Sequence, residues 1–139
     1  MKNLVFLAVL IPCVLAGADR ALAQGNPSGR YQLEIEQISD TCDKSPVAIR
    51  AKAAMTVSVT GKNLVFKLAD LPALTGPQKK RGKFRVGGKD ASARPGGTVG
   101  TFAATGRFDP GMVRMVLVAE HVKDGKTQCA QSWNITGKR

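Results

Sequence analysis

Residues 112–139 read MVRMVLVAEHVKDGKTQCAQSWNITGKR, and this stretch decides the fold class. Met112 to Val122 is aliphatic on both faces around Met115-Val116-Leu117-Val118, the composition of a strand covered on two sides. Asp124-Gly125 follows, and both residues tolerate the positive φ that a type I′ turn requires, so the chain reverses there into a last strand bearing Cys129 and Trp133. With Lys123 opposite Lys126, the register predicts Glu120 opposite Cys129, Val118 opposite Gln131 and Val116 opposite Trp133. Directly opposed residues share a face, so Val116, Trp133 and a disulfide through Cys129 are expected on one side.

Working outward, the same β pattern recurs. Tyr31, Leu33 and Ile35 alternate with Gln32, Glu34 and Glu36, a half-buried strand. A turn-rich segment, Ser39 to Pro46, separates it from a longer alternation in which Ile49, Ala51, Ala53, Met55, Val57 and Val59 share a face. The alanines on that face suggest close approach of another segment or space for a small apolar ligand. Gly61-Lys62-Asn63 turns the chain into Leu64, Phe66 and Leu68, completing a hairpin. Leu71 to Pro77, with two prolines and a glycine, argues against a strand. Phe84 and Val86 alternate with Lys83 and Arg85, and Gly87 to Gly97 reads as a long exposed flexible loop. Val99 to Phe108 is strand-like, with Gly100 and Gly106 marking a bulge or a sharp coil of the sheet. Asp109-Pro110-Gly111 turns it into the strand at Met112.

These elements predict an all-β domain, a small antiparallel meander of about seven or eight strands closed into a barrel or flattened into a sandwich. Its architecture and size are similar to those of lipocalins, avidins and some bacterial protease inhibitors. The similarity stops at architecture, since Gly29-Arg30-Tyr31 has a tyrosine where lipocalins have the tryptophan of their first-strand motif.

The first 23 residues read as a cleaved bacterial signal peptide. Lys2 supplies the positive start, Leu4 to Leu15 the apolar stretch and Ala21-Leu22-Ala23 the small-x-small pattern before Gln24. Pro12 before Cys13 does not fit a lipoprotein signal. The expected mature protein is one domain over residues 24–139, 116 residues without a transmembrane segment, exported to a periplasm or beyond, with a mobile leader from Gln24 to Gly29. In that oxidising setting Cys42 and Cys129 are expected to pair.

No catalytic signature emerges, and an enzyme is not expected. His121 is the single histidine; Glu120 faces the other way from it, and it reads as an exposed strand-end residue. Glu34 and Glu36 read as cross-strand partners of neighbouring cations. There is no Cys-x-x-Cys pair and no dense acidic spacing, so neither metal nor cofactor is expected. Asn134-Ile135-Thr136 fits a glycosylation acceptor, but in a strand of a bacterial protein it reads as chance.

Charge is the remaining signal. Without Lys2, Arg20 and Asp19 of the leader, 21 basic and 10 acidic side chains become 19 and 9, a net of +10. Lys79, Lys80, Arg81, Lys83, Arg85, Lys89 and Arg94 fall within sixteen residues whose single acid is Asp90. The expected function is a non-enzymatic barrel that binds a ligand or docks an anionic surface, acidic glycan or acidic protein through this hairpin and loop. Nucleic acid is not expected, because one aromatic, Phe84, interleaves the cations. The alternative is a secreted inhibitor or assembly factor acting through loops on a disulfide-tied scaffold.

Overall fold

The computed structural model describes residues 25–139. The expected signal peptide, with Cys13 in it, and the expected start at Gln24 lie outside the described residues. Eight antiparallel strands follow in chain order: β1 (Gly29–Asp40), β2 (Lys52–Thr60), β3 (Asn63–Leu68), β4 (Leu74–Pro77), β5 (Lys83–Lys89), β6 (Val99–Asp109), β7 (Met112–Lys123) and β8 (Lys126–Lys138). The only helical element among the described residues is a 3-10 turn, Lys80–Gly82. Each strand pairs with the next, and β1 pairs with β8 from Gln32↔Lys138 to Asp40↔Gln131, so the sheet forms a closed barrel. Closure leaves no edge strand to recruit another chain.

The alternation read from the sequence sorts inside from outside. Tyr31, Leu33, Ile35, Leu64, Phe66, Leu68, Phe84 and Val86 are buried as expected. At the interior Phe66 meets Phe84 edge-on at 4.9 Å between centroids, and Phe84 meets Phe108 at 5.0 Å. Trp133, Phe102 and the small Ala104 and Ala119 are all buried, with Phe102 opposite Ala119 in the ladder. The outward rows carry charged and polar side chains with single exposed aliphatics such as Val116 and Ile38. One row runs laterally through Lys83, Arg107, Arg114, Thr136, Glu34 and Lys52, the reverse of the apolar outer band of a membrane barrel.

Several expectations are corrected. The Asp124-Gly125 turn forms as read, with φ of 50° and 76°, and Lys123 opposes Lys126. Beyond Val122↔Thr127, however, a bulge takes up Gln128, and the register moves by one residue to His121↔Cys129, Ala119↔Gln131 and Leu117↔Trp133. Val116 therefore faces outward, 41% exposed, and does not share a side with Trp133. The same shift turns His121 inward, where it is fully buried rather than exposed. The second strand starts at Lys52, so Ile49 and Ala51 precede it, Ala51 and Val59 are exposed, and Met55 and Val57 carry its buried face. Leu74–Pro77 does form a strand; Pro77 is tolerated at its end. At Gly76 a side chain would overlap the Arg85 carbonyl, so the glycine permits β5 to approach. The ladder through Gly100 and Gly106 is continuous, so neither glycine marks a bulge.

The leader is held. Tyr31 Oη donates to the Pro27 carbonyl at 2.8 Å, and Arg139 Nη1 donates to the carbonyls of Asn26 and Ser28. Burial pushes the Tyr31 phenol up, with the nearby Arg139 charge acting against it.

An up-and-down meander has two distinct ends. The short turns at 60–63, 77–83 and 109–112, with the start of β1 and the finish of β8, lie at one end; the longer connections 41–51, 69–73 and 90–98 and the turn at Asp124 lie at the other. Cys42 and Cys129 form the predicted disulfide at the long-loop end, just past the last β1–β8 pair.

Candidate anion-binding surface

The β4–β5 connection makes the basic group a protrusion. Arg81 adopts φ 59°, ψ 35° and Gly82 φ 70°, a left-handed pair that reverses the chain within the 3-10 turn. A non-glycine residue in that region costs about 1–2 kcal/mol, which the turn accepts while holding Lys79, Lys80 and Arg81 outward. Lys83 and Arg85 then occupy the outward positions of β5, opposite buried Phe84 and Val86.

The sheet adds cations that are far away in sequence. Lys83 lies directly opposite Arg107 on β6, and Arg107 directly opposite Arg114 on β7. Like charges so placed repel. Gly106 makes the approach close, since a side chain there would overlap the Arg114 carbonyl and Met115. Asp109 pairs with two of these cations: it accepts from Arg114 Nη2 at 2.7 Å and lies 3.3 Å from Arg107 Nε. The hydrogen bond from Arg114 holds the Asp109 carboxyl below its usual range; partial desolvation opposes this, and the Arg107 and Arg114 charges reinforce it. Lys79, Lys83, Arg107 and Arg114 border a shallow open concavity of about 460 Å³ floored by Phe84 and Gly106.

The seven residues singled out from the sequence do not all converge. Lys79, Lys80, Arg81, Lys83 and Arg85 cluster at the start of β5, whereas Lys89 is at its far end opposite Thr101. Arg94 is consumed locally. Its Nε and Nη2 donate to Asp90 at 2.6 and 2.9 Å, and its guanidinium lies 5.6 Å above the Phe102 ring. Asp90 also accepts from Gly100 N at 2.8 Å. Burial raises the Asp90 carboxyl, but these bonds outweigh it and leave the group below its usual value. The Gly87 to Gly97 loop read from the sequence is shorter than expected, because Gly87 and Gly88 belong to β5, and the Asp90–Arg94 pair bridges the 90–98 connection that remains. Arg107 and Arg114 were not singled out from the sequence, although Asp109-Pro110-Gly111 was the usable signal: a tight turn there sets residues 107 and 114 opposite each other.

At the long-loop end, His121 and Gln131 form a buried polar pair. Gln131 Oε1 accepts from Val47 N at 3.2 Å, and its Nε2 donates to the Val47 carbonyl and to Asp40, each at 3.0 Å. With the Gln131 amide thus oriented, His121 Nε2 donates to Oε1 at 3.0 Å. His121 Nδ1 is left buried without a partner. Hydrogen bonds from Ser45, Cys42 N, Gln37 and Gln131 hold Asp40 below the usual carboxylate range against the opposing effect of desolvation. Glu34 stands opposite Lys52, the cross-strand arrangement expected of it. Among the described residues no group of three or more His, Cys, Asp or Glu side chains is placed to hold a metal ion.

Comparison of the chain with protein-family models, with curated proteins and with solved structures returns no match.

Proposed function

We propose that the protein is an exported, non-enzymatic barrel that docks an anionic partner through the outer surface around Lys79, Lys80, Arg81, Lys83, Arg85, Arg107 and Arg114. The observation that carries this reading is the directly opposed series Lys83, Arg107, Arg114, with Asp109 the one carboxylate among the described residues that ion-pairs with it. An exposed array of like charges destabilises the sheet that holds it, and an external phosphate, sulfate or carboxylate relieves that repulsion by forming charge-assisted hydrogen bonds with the guanidiniums. Export draws support from the leader pattern and from the Cys42–Cys129 bond, which persists in oxidising compartments.

Lys80→Glu with Arg81→Glu is expected to weaken binding to acidic glycan or anionic vesicles by roughly tenfold or more, with a shallower salt dependence. Unchanged binding, measured by titration at two salt concentrations, would make the basic surface a mere solubilising feature. Asp109→Asn is expected to act in the opposite direction. It frees Arg107 and Arg114 from their internal anion, and affinity should rise about twofold to tenfold. A fall in affinity with the fold intact would show that Asp109 positions the guanidiniums for the partner instead of competing with it.

A second reading, an inhibitor or assembly factor acting through loops, is favoured by the order of the long-loop end, where the disulfide and the Asp90–Arg94 pair hold two connections in place. Salt separates the readings, because an apolar loop interface keeps its affinity where an electrostatic one loses it.

A further inference from the structure

The barrel is electrically polarised along its axis. At the short-turn end Lys62 occupies the β2–β3 turn, and Lys79, Lys80 and Arg81 the β4–β5 turn. Lys83 and Arg85 begin β5, Arg107 and Arg114 flank the β6–β7 turn, and Arg30, Lys138 and Arg139 sit where β1 starts and β8 finishes. All eleven are exposed, and the single acid among them is Asp109. The other eight cations and eight acids of the described residues lie along the wall and at the long-loop end, where they balance. Among the described residues the whole excess of positive charge therefore belongs to one end of the barrel.

We infer that this end docks face-on to an anionic lipid surface, with the barrel axis standing on the bilayer and the long loops directed away from it. The inference rests on the docking reading above and extends it from one hairpin to a complete rim. Shape selects the partner. Arg30 is on β1 and Lys83 on β5, four strands apart whichever way the ring is followed, so the cations surround the end on opposite sides. A linear polyanion would follow one stripe and leave the far side unused, whereas a plane of headgroups meets all of it. Each basic residue brought to an anionic bilayer contributes on the order of 1 kcal/mol, so a full rim multiplies what a hairpin alone offers. Val59, 37% exposed beside the β2–β3 turn, adds an apolar contact at the same end.

The test is sedimentation of the disulfide-bonded protein with phosphatidylcholine vesicles, with and without phosphatidylglycerol. Three double variants carry the same change in net charge: Arg30→Glu with Lys138→Glu on the side away from the hairpin, Lys80→Glu with Arg81→Glu on the hairpin, and Lys44→Glu with Lys126→Glu at the long-loop end. The first two are each expected to reduce partitioning by about 30-fold or more and the third by less than about threefold. Near-ultraviolet circular dichroism confirms that each variant is folded. Equal losses in all three would overturn the inference in favour of net charge. Loss confined to the hairpin pair would overturn the face-on arrangement and leave the docking reading standing. Failure of the unaltered protein to bind the anionic vesicles, with hairpin-dependent binding to a sulfated polysaccharide, would do the same. Binding to neither would remove both.

Discussion

Replacing Cys42 and Cys129 by serine is expected to lower the unfolding free energy by about 4–5 kcal/mol, the cost of releasing a loop of 87 residues in the chain-entropy view. The position of the bond matters as much as its span. The β1–β8 ladder closes the barrel and ends at Asp40↔Gln131; the disulfide lies immediately beyond it and fastens that closing seam covalently. It is supported by Thr41, whose N donates to the Ala130 carbonyl at 3.0 Å and whose hydroxyl accepts from Ala130 N at 3.0 Å. Loss of the bond should loosen the 41–46 stretch, while Gln131 still holds the buried Val47. Urea unfolding of the double variant, compared with the oxidised protein at equal slope, measures the effect. A loss below about 1 kcal/mol would mean that the unfolded chain is already compact enough to gain little from the cross-link.

Gln131→Leu is expected to cost about 3–5 kcal/mol although the side chain keeps nearly its volume. The amide serves four groups at once: Val47 N, the Val47 carbonyl, Asp40 and His121 Nε2. Leucine satisfies none of them, and the two Val47 groups and the imidazole are buried, so each carries a desolvation penalty with no return. His121→Phe makes the informative contrast. It removes a ring whose Nδ1 is already unpartnered, while Gln131 keeps Val47 and Asp40, so its effect should lie within about 1 kcal/mol of zero. Equal destabilisation by the two variants would locate the importance of the pair in imidazole packing rather than in the glutamine.

The contrast between these two residues shows where sequence reading stops. Alternation correctly placed Tyr31, Leu33, Phe66 and Phe84 inside, because a period of two and one buried face leave little choice of side. The same rule misassigned Val116 and His121, because a single extra residue at Gln128 moves the ladder by one and exchanges inside for outside from His121 onward. Nothing local marks that bulge; Gln128 is an ordinary strand residue in composition, and it is the closed sheet that requires Trp133, Gln131 and His121 to point inward together. Leu74–Pro77 was missed for the complementary reason. Gly76 and Pro77 have poor strand propensity, and the segment becomes a strand through its neighbours β3 and β5.

The candidate surface divides in the same way. Lys79 to Arg85 stood out as a run, since proximity along the chain guarantees proximity in space, whereas Lys89 and Arg94 belonged to the run only in sequence. Arg107, Arg114, Arg30 and Lys138 are scattered over the chain and come to the same end of the barrel as the run only when the meander folds, Arg107 and Arg114 beside it and Arg30 and Lys138 across the ring.

By itself the sequence determined the strand character, most of the turns, the cysteine pair and the size and sign of the net charge, all of which are properties of residue type and short-range spacing. Only the tertiary structure decided which residues the bulge turns inward, where Arg94 is spent, and that the positive excess gathers at one end, because these depend on register and on how eight strands stack side by side around a ring.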